Sequence, residues 1–324
     1  MSIYLMAAIG LKGGVAGGHA GAVVDHRQDR LPVGDAGPHL DRGGGSVDHR
    51  VADEVGDHLA QHPADAVDGP LQRWWFDALH FALAVRHGAG EVVVAAANPR
   101  TVVVLQTGSP VTLPWLDAVP AVLQAWYPGQ ECGNAIADVL LGAAEPGGRL
   151  TQTWPLREPD SVAFGQPLNY PGQGGHVRYD EGLFIGYRHY DKHGITPLFP
   201  FGFGLSYTDF SLSDMALSAT TLNKSGKLDA SVMVKNTGKR DGETVVQLYI
   251  QDVTGSMIRP VKELKNFQKI MLKAGEQKVV HFTITEDDLK FYNAQLKYAA
   301  EPGKFNVQIG LDSQAVTQQS FELL

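Results

Sequence analysis

The hydrophobic pattern changes character twice along the chain. Up to about residue 90 neither a 3.6-residue nor a 2-residue period is sustained, and residues 13–50 are Gly, Ala, Asp, His and Arg with scattered Val and Leu. Such a stretch buries too little apolar surface to offset the entropy lost on ordering it, so segment 1–90 is expected to be largely irregular. The exception is Leu71-Gln-Arg-Trp-Trp-Phe-Asp-Ala-Leu-His-Phe-Ala-Leu83, where Trp75, Leu79 and Leu83 share a helical face and predict one short helix. Order begins at Glu91. Residues 92–97 read as the end of a helix, because the residue before Pro99 is pushed out of the helical region. Thr101-Val-Val-Val-Leu-Gln106 is the short β-branched run of a strand buried on both faces of a parallel sheet, and Thr107-Gly108-Ser109-Pro110 turns the chain away from it. Val119-Pro-Ala-Val-Leu-Gln-Ala-Trp126 predicts a second buried strand. It leads through Tyr127-Pro-Gly-Gln-Glu131 into a helix over 133–141 that stops at Gly142.

Strand, loop and helix in this order imply an α/β layer with a parallel sheet. From residue 206 the period becomes two: Thr244, Val246, Leu248 and Ile250 lie on one side of a strand, Val280, Phe282 and Ile284 on one side of another, and Phe305, Val307, Ile309 and Leu311 on one side of a third. Turn signals at 236–242, 273–276 and 301–303 separate them, which predicts an antiparallel β-sandwich. The expected organisation is therefore segment 1–90, an α/β sandwich over 91–205 and a β-sandwich over 206–324.

Composition sharpens this division. Residues 1–90 hold 8 of the 12 histidines, 15 of the 37 glycines and one lysine, Lys12, whereas 13 of the 14 lysines lie from Lys192 onward. The first segment is read as a non-native translation product, from a wrong start or a shifted frame in GC-rich DNA, with a functional disordered region as the alternative. Ile3 to Leu11 is apolar but short and lacks a basic n-region, so no convincing signal peptide is read there. His58 and His62 stand four apart, but Leu-Ala-Gln between them lacks the Glu of the zinc-protease pattern, and in so His-rich a stretch the spacing arises by chance. No metal site and no cofactor are expected. The single cysteine, Cys132, excludes an intramolecular disulfide and a cysteine-based zinc site. No apolar run approaches the ~18–20 residues of a membrane-spanning helix, and a formal charge of -8 argues against nucleic-acid binding.

Loops leaving the carboxyl ends of parallel strands line the ligand crevice. Residues 107–110 and 126–131 thus share one edge. Trp126 and Tyr127 beside Glu131 suit a sugar, whose C–H face stacks on rings while its hydroxyls bond polar groups; the alternative is that both rings pack the sheet edge and Glu131 serves the helix's first turn. Trp115 joins them as a candidate for the substrate edge.

Collinear motifs then become specific: Asn98-Pro-Arg-Thr-Val-Val-Val-Leu105, Gly108-Ser-Pro-Val111, Pro114-Trp115, Ala125-Trp-Tyr-Pro-Gly-Gln-Glu131, Pro146-Gly-Gly-Arg-Leu150, Thr153-Trp-Pro155, Tyr179-Asp-Glu-Gly-Leu-Phe-Ile-Gly-Tyr-Arg-His-Tyr-Asp191 and Pro197-Leu-Phe-Pro-Phe-Gly-Phe-Gly-Leu-Ser-Tyr207. They resemble the C-terminal α/β-sandwich domain of glycoside hydrolase family 3, the β-glucosidases, from about Val94 on. Gly242-Glu-Thr-Val-Val-Gln-Leu-Tyr-Ile-Gln-Asp252 and Leu272-Lys-Ala-Gly-Glu276 resemble the fibronectin type III-like domain that follows it, and periplasmic β-glucosidases share both.

The resemblance implies a retaining β-glycosidase, with an Asp nucleophile and a carboxylic acid about 5–5.5 Å apart. The nucleophile belongs to an N-terminal (β/α)₈ barrel of about 250 residues. The acid/base Glu belongs to a Gly-Glu-Gly type motif upstream of Asn98, and residues 74–90 do not match it. Both catalytic carboxylates are thus expected to be absent and the chain to be inactive alone; the alternatives are a non-catalytic carbohydrate-binding or assembly module and one chain of a split enzyme whose barrel is encoded separately. A β-glucoside or oligosaccharide is the implied ligand, and a periplasmic or secreted location the implied compartment. Ser213-Asp214 and Thr208-Asp209 are similar to the barrel's nucleophile motif and Lys192-His193 to its Lys-His pair. All are expected in the linker and first strand of the β-sandwich, without those roles. Glu131 and Glu181 are read as structural. Near a helix N-terminus Cys132 could have a lowered pKa, a minor possibility beside that of a tolerated substitution.

Overall fold

In the computed structural model the described residues are 81–84 (backbone only), 98 and 100–324. The possible signal peptide, His58 and His62, most of the helix expected over 71–83 and the helix end over 92–97 lie outside them.

Three short strands form a parallel sheet in the order β1-β2-β3: β1 (Phe81–Ala84), β2 (Val102–Leu105) and β3 (Ala121–Gln124). β1 corrects the sequence reading. Phe81-Ala-Leu-Ala84 pairs in parallel with β2, Phe81 opposite Val102, so Leu83 belongs to a strand and not to a helix. A four-residue apolar run fits either period, and pairing with a fully apolar neighbour decides it.

The sheet is covered on both faces, as wholly apolar strands require. On one face Val103, Leu105 and Val122 pack against Trp115, Leu150, Trp154 and Phe199. On the other, Val104 and Leu123 pack against α1 (Cys132–Leu140), which contributes Ile136, Ala137, Val139 and Leu140. A long connection then leads to α2 (Tyr187–His193), which Gly194 ends in the left-handed conformation that a side chain disfavours. Lys192 and His193 close α2, and so sit in the α/β part and not in the linker expected from sequence.

The β-sandwich follows. One sheet has the order β4-β6-β9, with β4 (Phe210–Leu217), β6 (Leu228–Asn236) and β9 (Gln277–Ile284). The other has the order β5-β13-β12-β7-β8, built from β5 (Thr221–Leu222), β7 (Gly242–Asp252), β8 (Glu263–Leu272), β12 (Gly303–Gly310) and β13 (Val316–Leu323). A short helix, α3 (Glu286–Leu289), and a hairpin of β10 (Phe291–Tyr292) and β11 (Tyr298–Ala299) join β9 to β12. Every pairing is antiparallel except β13 with β5, two residues long. The alternating residues read from sequence form the core: Val246, Leu248, Ile250, Val280, Phe282, Ile284, Phe305, Val307 and Ile309 are all buried, with Leu311 packed at its margin.

Polar groups tie the two parts together. Arg149 donates to the Glu243 carbonyl at 3.1 Å, Arg240 to the Gly142 carbonyl at 2.8 Å and the Tyr207 hydroxyl to the Val139 carbonyl. Ser313 N–H donates to the Phe201 carbonyl at 2.9 Å. Lys262 lies 3.0 Å from Asp191, both side chains buried. No helix among the described residues is long and apolar enough to cross a membrane.

Candidate functional site

Because β2 and β3 run parallel, their carboxyl ends deliver residues 106–110 and 125–131 to the same edge. Gln124, fully buried at the end of β3, donates its amide to the Thr107 carbonyl at 2.7 Å, which fixes one loop to the other. The Gln106 amide donates to Cys132 Sγ, tying the first loop to the start of α1. The Tyr127 ring lies so close over Gly108 that a Cβ there would collide with it. Gly108 thus leaves room for the Tyr127 ring in this position.

The chain enters the second loop with Trp126 in the left-handed region, φ 55°, an uncommon conformation for a bulky residue. The twist sends consecutive rings in different directions. Trp126 packs against the core on the Trp154 face, whereas Tyr127 is 77% exposed. Glu131 sits at the N-cap position of α1, its carbonyl accepting from Ala135 N–H at 2.9 Å; its carboxylate does not cap the helix and accepts from the Asn134 amide at 2.8 Å. Trp115 lies elsewhere. It precedes a 3₁₀ turn (Leu116–Ala118), is 6% exposed and belongs to the hydrophobic core. The structure thus brings Trp126, Tyr127 and Glu131 into one loop and places Trp115 in the interior. One exposed ring and one carboxylate can stack on a sugar and accept from its hydroxyls. A facing pair of carboxylates is a different arrangement, and this loop supplies only one.

Sequence reasoning missed the larger feature. Between Trp154 and α2 the chain runs through a long loop with one 3₁₀ turn (Glu158–Asp160) and a series of local turns. Its feet are held: Trp154 bridges to Phe199, and Arg157 pairs with Asp160 at 2.8 Å, which draws the Asp160 carboxyl below its ordinary value through a hydrogen bond. Along it Phe164, Tyr170, Val177, Tyr179, Leu183 and Ile185 are all exposed; Tyr179 is 81% exposed. Eight of the nineteen exposed large apolar side chains among the described residues fall within 156–185. Loops this long are uncommon in compact domains, and clustered exposed apolar groups mark interaction surfaces. The sequence signal was present in Tyr179-Asp-Glu-Gly-Leu-Phe-Ile185, but an apolar run without a period gives no indication of which way its side chains face. Glu181 is part of this loop, and its carbonyl accepts from Phe184 N–H at 3.0 Å.

Among the described residues no three His, Cys, Asp or Glu side chains cluster as a metal site. Thr208 and Ser213-Asp214 lie at the entry to and within β4, where Thr208 is buried and bonds Asn236 at 2.6 Å.

Residues 76–207 match the glycosyl hydrolase family 3 C-terminal domain, and residues 244–313 the fibronectin type III-like domain. The chain carries the C-terminal domain of glycosyl hydrolase family 3. The family 3 match reaches back to residue 76, ahead of the motifs that begin near Val94, and takes in β1. Thermostable beta-glucosidase B of Acetivibrio thermocellus is 43% identical over 242 residues, 74% of this chain and 32% of that protein. The periplasmic beta-glucosidase of Salmonella typhimurium is 52% identical over 233 residues, 71% of this chain and 30% of that protein. Among solved structures, the beta-glucosidase DesR from Streptomyces venezuelae, in complex with D-glucose, superposes with a TM-score of 0.69 at 36% identity, covering 75% of this chain and 33% of that one. The chain thus spans about a third of the length of these relatives.

Proposed function

We propose that this chain is the C-terminal part of a β-glucosidase, contributing the α/β sandwich (residues 91–205) and the fibronectin type III-like domain (206–324) to an enzyme whose nucleophile sits on a (β/α)₈ barrel. By itself it turns over no β-glucoside at enzyme rates. The observation that carries this is the exposed apolar loop over 156–185, in a chain matching one third of its relatives. The barrel-bearing portion of such an enzyme is the occupant that fits both the surface and the remaining length of those relatives. The rate argument is that removing the principal members of a catalytic unit costs several orders of magnitude.

Assay of the purified chain on an aryl β-glucoside, alone and mixed with a family 3 barrel expressed separately, tests this. No turnover alone and turnover in the mixture are expected. Turnover by the chain alone at ordinary β-glucosidase rates would overturn it.

A second reading, a non-catalytic sugar-binding module, is favoured by the exposure of Tyr127 beside Glu131. Titration with glucose or cellobiose in a calorimeter, with loss of binding in Tyr127→Ala, supports it. Trp126→Ala is the poorer probe, because Trp126 packs into the core.

A further inference from the structure

His189 and His193 lie one turn apart on α2, on the same face of the helix. Their ring centres are 4.8 Å apart and their planes inclined by 52°, so the rings meet without stacking. A shared metal ion can be accommodated at this spacing. With metal–nitrogen bonds of about 2.1 Å, each ring centre lies about 3.2 Å from the ion, and two rings at a tetrahedral angle are then about 5 Å apart.

The neighbours restrict the pair and commit the adjacent charges elsewhere. The His189 ring faces the backbone of Asp160, in the 3₁₀ turn near the start of the exposed loop. Tyr190 packs edge-on against His189 with ring centres 5.5 Å apart and restricts the ring. The cations beside the pair are turned onto aromatic rings, Arg188 over Tyr187 and Lys192 over Phe184. Asp191 is committed to Lys262. His193 is exposed, so water can complete the coordination.

We propose that His189 and His193 form a two-ligand site for a divalent transition-metal ion of the Cu²⁺, Ni²⁺ and Zn²⁺ class. Two imidazoles suit these ions, Cu²⁺ most strongly, whereas Ca²⁺ and Mg²⁺ seek oxygen ligands. His189 reaches the backbone of Asp160 at one foot of the exposed loop, and α2 forms the other foot. An ion held here would fasten the base of that loop. The site stands independently of the glycosidase reading.

Histidine imidazole NMR signals of the full chain, followed during addition of Cu²⁺, test it. The signals of His189 and His193 are expected to broaden together, ahead of those of His176 and His281, and excess Zn²⁺ should prevent this. Outer-shell contacts alone change metal affinity by about 10–100-fold, so His193→Ala, an exposed position, should weaken broadening at His189 by about tenfold or more. Broadening of His189 and His193 no earlier than His176 and His281, or unaltered by His193→Ala, would overturn the site.

Discussion

Asp191 and Lys262 join the two parts of the molecule with side chains only 6% and 8% exposed. Burial raises the Asp191 carboxyl pKa, and the bonds from Lys262 and Gln314 offset this only in part. A raised carboxyl pKa means that the charged form is the less favoured one in the folded state. Its contribution to stability is therefore fully present below the ordinary carboxylate value and is lost as pH rises through the raised value. At neutral pH the pair is tolerated more than it is stabilising, yet breaking it leaves a buried charge without a partner. Asp191→Asn is accordingly expected to destabilise the chain by about 3–5 kcal/mol, and the double change Asp191→Leu with Lys262→Met to restore much of the loss. Denaturant melts measure both, and wild-type stability in Asp191→Asn would contradict the account. None of this was legible in the sequence, where the two residues are 71 positions apart. Trp115 shows the same limit. Its place beside a loop suggested the ligand edge, but a loop has no period from which to read burial, and the following 3₁₀ turn carries the ring into the core.

Elements were legible in proportion to the regularity of their environment. β9 alternates because one face meets the core, and its buried residues follow from the period alone; in β7 and β12 the period gives the core face, but Gln247, Tyr249 and Gln308 on the opposite face are buried as well. β8 obscures it. As an edge strand it leaves Phe267 and Met271 exposed, and a register shift opposite Leu248 and Tyr249 interrupts its phase. α2 escaped because seven mostly polar and aromatic residues show no apolar stripe, although Gly194 after Lys192-His193 is a fair stop signal. The loop over 156–185 follows from neither period, and its importance rests on what it exposes. Replacing Tyr179 and Leu183 by Ser should change stability by no more than about 0.5 kcal/mol, since both side chains face solvent. The same pair of changes is expected to reduce reconstitution with a barrel chain at least severalfold, read as glucosidase activity in the mixture. Unchanged reconstitution would remove this loop as the docking surface.

At the scale of the whole molecule the two halves are unequal. The β-sandwich has one contiguous core drawn from both sheets, whereas the α/β part divides its apolar residues between the two faces of a three-stranded sheet. Residues 206–324 expressed alone are expected to melt cooperatively, and residues 76–205 to lack a cooperative transition, as followed by circular dichroism. Cooperative melting of residues 76–205 would show that the two small cores suffice. The asymmetry extends to the end of α1, where the last carbonyls of a helix have no partners within it. Here the Tyr207 hydroxyl joins Gly142 N–H on the Val139 carbonyl, and Arg240 of the β-sandwich reaches the Gly142 carbonyl just past the helix, so part of the capping comes from the C-terminal part. An evolutionary shuffling event that cut the gene between these parts would release a competent β-sandwich but strand the helix it leaves behind. On that account the second unit is expected to be inherited alone more readily than the first.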